Sequence, residues 1–210
     1  MKQLDDKKTG FAIYMFKKPL EPGDSTYLRI DMDIVTKGFR NSGSNTRLLY
    51  NGTFLTTGFL PSFGYNEGYE ITDEKKRKKY NLPEKQLVAK INDTTALQNT
   101  YISNDGDWIR FETVVSTTPD QIAIAPGYLE KEWEEKGRKY FHYKMDSEIL
   151  NFAAWLSADY EKIEDEWNGI ELAVYYHKDH DYNIHDMMKS MKRSLEYYTA
   201  NFTPFQFKQL

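Results

Sequence analysis

The chain is 210 residues long, contains no cysteine and carries a net charge of −4. That length suits one large domain, or one domain plus a fragment of another, with a real hydrophobic core. The acidic balance, with Lys and Arg interspersed among Asp and Glu, argues against nucleic acid as a partner. The lack of cysteine excludes a disulfide framework, a thiol nucleophile and a thiolate metal site.

The N-terminal region predicts two antiparallel strands. Apolar and polar residues alternate over residues 11–16 and again over residues 27–35, and the turn sequence PLEPGD separates the two runs. The segment TRLLYNGTFLTT predicts a third strand. It is followed by GFLPSFGYNEGYE, whose glycines and proline predict an irregular but ordered loop held by its own aromatic side chains.

A short charged helix is predicted next, in the segment ITDEKKRKKYNLPE. Thr72 or Asp73 is its predicted N-cap, and the helix is expected to end before Pro83. Its charged side chains are expected to face solvent. Residues 87–105 show little pattern and are predicted to be irregular.

Strand signals resume beyond residue 106 and predict a β-rich body. Strands are predicted in DWIRFETVVST, DQIAIAPGYLEKEW, RKYFHYKMD, LNFAAWLSADYEKIEDEW and GIELAVYYH. Sixteen Tyr, twelve Phe and four Trp also favour pleated, half-buried surfaces. Short strands at this spacing predict a mainly β fold, either an antiparallel β-sandwich or a saddle-shaped sheet.

The pattern becomes helical once, after Asn183. Apolar residues recur there at helical spacing, at Ile184, Met187, Met188, Met191, Leu195 and Tyr198. They predict a C-terminal amphipathic helix from residue 184 to about residue 200. Asn183 is its predicted N-cap, and Asp186 lies in the first turn, where the helix dipole favours negative charge. The following NFTPFQFKQL ends in an alternation typical of a strand that is just beginning.

Three of the four histidines lie in the short stretch YYHKDHDYNIH, at His177, His180 and His185. Such a cluster can hold a metal ion, but these residues belong to a strand end, a turn and a helix start, and the sequence contains no His-Glu-x-x-His. A solvated turn, whose polar side chains remain in water, is the favoured interpretation.

Other candidate groups also have ordinary interpretations. His142 either faces solvent or is a satisfied, half-buried strand histidine. Acidic residues near Asp31, at Asp105 and from Glu161 onward could pair for glycoside hydrolysis, but a surface role is favoured because sequence shows no cleft. Aromatic residues could form a carbohydrate or peptide platform, but their strand positions favour the core: Trp108, Phe111, Tyr140, Phe141, Phe152, Trp155 and Tyr160.

The sequence offers no membrane-spanning or targeting signal. No run approaches the roughly 20 apolar residues of a spanning helix, and the N-terminal MKQLDDKKTG lacks the apolar region of a signal peptide. As it stands the chain is expected to be soluble. Its polar opening is also compatible with the start of a fragment cut from a longer protein.

Several phrases resemble, in order, the N-terminal region of the membrane alanyl aminopeptidase family of zinc enzymes. YFHYKMDSEILNFAAWLSADYEK is similar to a strand pair of that family, with Met145 and Asp146 in place of its Met-Ser step. The segment from IELAVYYH to NFTPFQF is similar to the family's crossing from β-domain to catalytic domain. NGTFLTTGFLPSFGYN, residues 101–108 and DQIAIAPGYLEKEW resemble a bacterial branch in which such a module is fused to an ABC-transporter permease.

The resemblance implies two parts. Residues 1–182 would be the N-terminal β-domain of an aminopeptidase-like protein, and residues 183–210 the first helix and strand start of its truncated catalytic domain. It implies no catalytic, cofactor-binding or metal-binding residue in this chain, because the family's zinc motif lies downstream of the matched segment. The sequence departs from the family at Gly64, Tyr65 and Asn66, where most members have Phe-Pro-Cys-x-Asp-Glu-Pro.

The resemblance also implies where zinc and partners would be found. Zinc is expected in the catalytic domain of the parent protein, a metallopeptidase, and none is expected in this chain. The catalytic domain is the expected intramolecular partner, and peptide substrate is expected only for the full protein. The parent is expected to be associated with the inner membrane.

Two other functions remain open. One is a stand-alone, aromatic-rich β-sandwich that binds glycan or peptide. The other is a structural domain of a transporter-linked, inactive peptidase. The helix helps to separate the stand-alone module from the aminopeptidase domain: an apolar face packed back onto the sheet indicates a self-contained domain, whereas an exposed face indicates a truncated interface. The presence or loss of His-Glu-x-x-His downstream separates the enzyme from the inactive scaffold.

Overall fold

The computed structural model describes residues 2–6, 11–36, 38, 46–64, 67–85, 88–98 and 108–210. The chain divides into two compact units, Met1–Val35 and Thr36–Leu210. Tyr65, Asn66, Asp105 and part of the segment 87–105 lie outside the described residues, and so do the expectations made for them.

The first unit contains a hairpin of two antiparallel strands, β1 (Lys2–Asp6) and β2 (Phe11–Tyr14). The strand predicted over residues 11–16 is confirmed in this shorter form. The strand predicted over residues 27–35 is wrong, because these residues form no strand and β2 pairs with β1 instead. An alternating pattern does not by itself supply the neighbouring strand that a ladder of hydrogen bonds requires.

The second unit contains the remaining elements and makes the chain mainly β, as predicted. Its strands are β3 (Leu48–Leu49), β4 (Gly52–Thr56), β5 (Trp108–Ile109), β6 (Glu112–Thr117), β7 (Ile122–Ile124), β8 (Tyr128–Glu135), β9 (Arg138–Lys144), β10 (Ile149–Leu150), β11 (Ala154–Ala158), β12 (Glu161–Trp167) and β13 (Ile170–Tyr176). Its α-helices are α1 (Glu74–Lys79) and α2 (Ile184–Asn201). Within the described ranges, neither helix is long and apolar enough to cross a membrane.

Two antiparallel sheets form the body of this unit, in the strand orders β3-β4-β11-β7 and β6-β9-β8. The single strand predicted over TRLLYNGTFLTT is wrong, because the chain reverses at Tyr50 and Asn51 to form the β3–β4 hairpin. Asn tolerates the backbone conformations of tight turns, so the Asn-Gly step interrupts a sequence that otherwise looks like one strand.

The two sheets share an apolar core. Phe141 and Tyr143 of β9 pack with the small residues Ala123 and Ala125, and Trp155 of β11 packs against them. The Tyr143 hydroxyl donates a hydrogen bond of 2.8 Å to the carbonyl of Ala123. Large rings set against alanines are typical of two interdigitating sandwich layers, although this sandwich is not closed.

A buried polar cluster ties β6 to β11. The hydroxyl oxygens of Thr117 and Ser157 lie 2.5 Å apart, and both hydroxyls also contact the side-chain carbonyl of Gln121. The Gln121 amide in turn donates to the carbonyl of Tyr50, at 3.2 Å. Because each polar group has a partner, the cluster fixes strand register without the penalty of a buried unpaired group.

Helix α1 confirms the predicted short helix. Asp73 is its N-cap and accepts a hydrogen bond from the backbone N–H of Lys76, at 2.8 Å. The expectation that all its charges face solvent is wrong at Arg77, which is buried. Its guanidinium donates to the carbonyls of Ile71 and Pro83 at 2.7 Å each, so this side chain holds the chain on both sides of the helix together.

Helix α2 packs on the separate hairpin formed by β12 and β13. Its bounds confirm the predicted helix, although Asn183 stands at the N-cap without a capping hydrogen bond from its side chain. Leu172 of β13 and Met188 and Leu195 of α2 lie in a second buried core, against which Trp167 of β12 also packs.

The C-terminal segment pairs with the free edge of β13. The strand predicted to begin in NFTPFQFKQL is limited to one parallel bridge, between Glu171 and Gln209. The backbone N–H of Glu171 donates to the carbonyl of Lys208 at 2.8 Å, and the Gln209 side chain donates to the carbonyl of Gly127 at 2.7 Å. The segment therefore joins β13 to the start of β8.

Candidate functional site

The histidine-rich stretch forms the connection between β13 and α2. The rings of His177 and His180 lie 5.6 Å apart, and the backbone N–H of Asp179 donates to Nδ1 of His177 at 3.3 Å. His177, His180 and His185 all have exposed side chains, which fits the solvated turn. Among the described residues, no three or more His, Asp or Glu side chains come together in a group that could hold a metal ion.

His142 is the satisfied, half-buried strand histidine, one of the two interpretations that the sequence left open. Its Nε2 lies 2.7 Å from Oε1 of Glu112 on the neighbouring strand β6. The hydrogen bond from His142, together with the charge of Lys144, lowers the pKa of Glu112. Glu112 is therefore a charged carboxylate at neutral pH, and its contact with His142 holds the two strands in register.

The acidic segments lie on the surface. Asp31 pairs with Arg29 at 3.1 Å. On β12, Asp165 pairs with Lys192 of α2 at 2.5 Å, and this hydrogen bond lowers the pKa of the Asp165 carboxyl. Glu161, like its acidic neighbours Glu164 and Glu166, is exposed. These positions fit the surface role favoured by the sequence.

The aromatic residues are divided between core and surface. Phe141 is buried, and Trp155 packs against the core that contains it. The ring centroids of Phe111 and Trp155 lie 6.0 Å apart. The core prediction is wrong for Trp108 and Phe152, which are 65% and 56% exposed. Trp108 belongs to the two-residue ladder of β5 with β10, and Phe152 follows that ladder, which is too short to cover a large ring.

Tyr140 and Tyr160 take intermediate positions. Tyr140 stacks on Trp133 across the β8–β9 pair, with ring centroids 5.1 Å apart. Tyr160 makes an edge contact with Tyr175, at 6.0 Å, and burial raises its pKa. Both side chains are half-buried, so they stabilise cross-strand pairs and do not form a flat open platform.

Helix α2 has a buried stripe with two different flanks. Ile184, Met188 and Leu195 form the buried stripe. Because successive helical residues are about 100° apart around the axis, Lys189 projects on one side of this stripe and Tyr198 on the other. The two sides differ in chemistry, and each is a candidate site.

The first side is an apolar flank, consisting of Met187, Tyr197, Tyr198 and Phe202. Met187 and Tyr198 are 50% and 57% exposed, although the sequence pattern places them in the apolar stripe. The rings of Tyr197, Tyr198 and Phe202 lie within 5.6 to 6.5 Å of one another. The apolar surface of α2 is thus wider than the part that β12 and β13 cover.

The second side borders a groove of about 320 Å³ between α2 and β12, called here the cationic groove. His185, Lys189, Lys192 and Arg193 of α2 line it, opposite Asp165 and Trp167 of β12. Sequence reasoning missed this site because only the fold places Asp165 and Trp167 of β12 opposite these cations. The signal is the spacing of His185, Lys189 and Arg193, four residues apart, which places them on one helix face.

Comparison with known proteins finds neither a protein-family model nor a curated protein that matches the chain.

Proposed function

We propose that this chain is the non-catalytic N-terminal β-domain of an aminopeptidase-like zinc metallopeptidase, together with α2 as the first helix of its catalytic domain. The apolar flank of α2 packs against the rest of the catalytic domain, and the β-domain helps to wall the substrate cleft. The proposal starts from the ordered resemblance to the membrane alanyl aminopeptidase family, from PLEPGDS to the C-terminus. Fusion to a transporter permease, with association of the parent with the inner membrane, belongs to the same proposal.

The observation that carries the proposal is the unequal covering of α2. Its buried stripe packs on β12 and β13, whereas the apolar flank has no cover in the described part of the chain. Burying one Met or aromatic side chain contributes about 1.5–3 kcal/mol. Apolar side chains that remain clustered on an ordered helix are typical of a surface that contacts another domain.

The proposed chemistry belongs to the parent protein. In such enzymes a zinc ion and a glutamate activate a water molecule for peptide hydrolysis. The sequence of this chain lacks the His-Glu-x-x-His that would hold the metal. The chain itself would pack on the catalytic domain and help to enclose the substrate cleft. In isolation it is expected to have no peptidase activity.

A peptidase assay tests this proposal. The chain of residues 1–210 and the complete gene product are each supplied with zinc and an aminoacyl-anilide substrate, with and without a chelator. We expect turnover only from the complete protein, and only without chelator. Chelator-sensitive turnover by residues 1–210 that is lost on His177→Ala with His180→Ala would contradict the proposal. A complete protein that lacks His-Glu-x-x-His would favour the inactive, structural alternative.

The stand-alone binding module is the second candidate, and the exposure of Trp108 and Phe152 favours it. Exposed rings of this kind can stack on a sugar or on a peptide side chain. Saturable quenching of tryptophan fluorescence by an oligosaccharide, lost on Trp108→Ala and retained on Trp133→Ala, would support this function.

A further inference from the structure

We propose that the cationic groove between β12 and α2 is a binding site for a phosphate monoester. This site lies on the opposite flank of α2 from the apolar surface, so it does not depend on the function proposed above. The groove is about 320 Å³ in volume, which is near the lower limit of about 300 Å³ for small-molecule sites.

Two cations in the groove, Lys189 and Arg193, have no counter-ion among the described residues. They are four residues apart on α2, so they are neighbours on the helix surface and repel each other. An anion that contacts both would remove this repulsion and form charge-assisted hydrogen bonds with each.

The carboxylates in the groove offset only part of its positive charge. The Asp165 carboxylate already pairs with the Lys192 ammonium at 2.5 Å, and this hydrogen bond lowers the pKa of Asp165. The charges of these two groups therefore offset each other. Glu196 is the other carboxylate in the lining. Apart from His185, three Lys or Arg side chains stand against two carboxylates, so the lining keeps one net positive charge.

The groove also has an apolar wall, formed by Trp167 and Met188. Both side chains belong to the second core, so the wall is fixed by packing. A phosphate monoester combines a doubly charged group with an organic substituent, which matches the two cations, Lys189 and Arg193, beside an indole. A simple monocarboxylate has two acceptor oxygens, whereas a phosphate monoester has three, so the carboxylate forms fewer charge-assisted hydrogen bonds with Lys189 and Arg193.

Titration with phenyl phosphate, followed by NMR, tests the proposal. The chain has four Trp residues, and Trp167→Phe identifies the indole N–H signal of Trp167. We expect a saturable shift of that signal while the indole signals of Trp108 and Trp155 stay in place. Salt is expected to weaken binding, because it screens exposed charges. No saturable shift of the Trp167 signal would overturn a site for soluble esters.

Charge variants locate the binding. Lys189→Met with Arg193→Met is expected to weaken binding at least about tenfold, since each charge-assisted contact is worth about one order of magnitude. Two exposed lysines outside the groove, changed together as Lys18→Met with Lys178→Met, are the matched control and should leave binding unchanged. Glu196→Gln removes a negative charge that repels the phosphate group, so it should tighten binding by about two- to fivefold.

The ester can be soluble or carried on a lipid, and vesicles distinguish the two sources. Cosedimentation with phosphatidic acid vesicles, but not phosphatidylcholine vesicles, that requires Lys189 and Arg193 would assign a lipid headgroup. Binding of phenyl phosphate in solution would assign a soluble ester. Equal affinity for benzoate, equal binding by the double variant, or failure of both probes would each overturn the proposal.

Discussion

At the residue scale, Gly127 stands where the chain enters β8 and only glycine fits. Its φ is +109°, and a Cβ atom there would lie 2.8 Å from the carbonyl carbon of Lys144 at the end of β9. Its carbonyl also accepts the hydrogen bond from Gln209. One residue thus combines an unusual backbone conformation, a close backbone approach and the attachment of the C-terminal segment.

Gly127→Ala is expected to lower the free energy of unfolding by about 2–4 kcal/mol, because backbone strain and the clash with Lys144 act together. Gly137→Ala is the matched control. Gly137 also has a positive φ, +72°, but a Cβ atom added there would meet no described atom within 4 Å. Gly137→Ala is expected to lower the free energy of unfolding by about 1 kcal/mol. Urea denaturation measures both values, and equal losses would show that the close approach to Lys144 contributes nothing.

At the element scale, the C-terminal segment connects two parts of the second unit. The backbone N–H groups of Glu171 and Ala173 donate to the carbonyls of Lys208 and Leu210, at 2.8 and 3.0 Å. At the other side of the segment, the Lys208 ammonium pairs with Asp146, just beyond β9. Residues 208–210 therefore attach the β12–β13 hairpin to the β6-β9-β8 sheet.

Removal of residues 208–210 is expected to raise the amide exchange rates of Glu171 and Ala173 by at least about tenfold, because these groups lose their acceptors. Successive backbone N–H groups along a strand point to opposite neighbouring strands. The N–H groups of Leu172 and Val174 therefore point towards β12, and their exchange rates provide an internal control. Hydrogen exchange measured by NMR checks this. Unchanged rates at Glu171 and Ala173 would show that the segment does not pair with β13 in solution.

The contact between Asp146 and Lys208 makes this attachment pH-dependent. The hydrogen bond from Lys208 lowers the pKa of Asp146, and the same bond raises the pKa of Lys208. The stabilisation is thus fully present from about pH 4 to about pH 10, the unfolded pKa values. It is lost as pH falls through the lowered pKa of Asp146 or rises through the raised pKa of Lys208. Lys208→Met should remove this contribution to the pH dependence of the free energy of unfolding, which urea denaturation at several pH values measures.

The sequence predicted the helices well because their signals are local. Asp73 caps α1, and the spacing of Ile184, Met188 and Leu195 defines the buried stripe of α2. Strand pairing is non-local, so the alternation over residues 27–35 predicts a strand for which the described part of the chain supplies no neighbour. The burial of Arg77 could not be predicted either, because it depends on carbonyls that the fold brings around the helix.

The candidate sites show the same division. The amphipathic pattern of α2 predicts an apolar stripe but not how much of it the hairpin covers, since that depends on where β12 and β13 lie. The cationic groove requires β12 as its second wall. The histidine-rich stretch is conspicuous in sequence, yet the turn separates His185 on the helix from the pair formed by His177 and His180.

At the scale of the whole molecule, α2 is the element on which both proposals depend. Its buried stripe completes the core with β12 and β13, its cationic flank faces a groove, and its apolar flank is exposed. In the proposed longer protein, we expect the rest of the proposed catalytic domain to cover the apolar flank. Because this expectation concerns the exposure of particular side chains, it can be measured directly.

Thiol labelling measures that exposure, and the absence of cysteine in the chain makes the background low. Met187→Cys and Tyr198→Cys report on the apolar flank, and Lys189→Cys on the opposite flank is the matched control. Each variant is labelled in residues 1–210 and in the complete protein, with the site identified by mass spectrometry. We predict that labelling at positions 187 and 198 is at least about tenfold slower in the complete protein, while labelling at position 189 is unchanged. A tenfold difference corresponds to a free energy of about 1.4 kcal/mol for opening the covered surface. Equal rates at positions 187 and 198 in the two proteins would contradict the proposed contact between α2 and the catalytic domain.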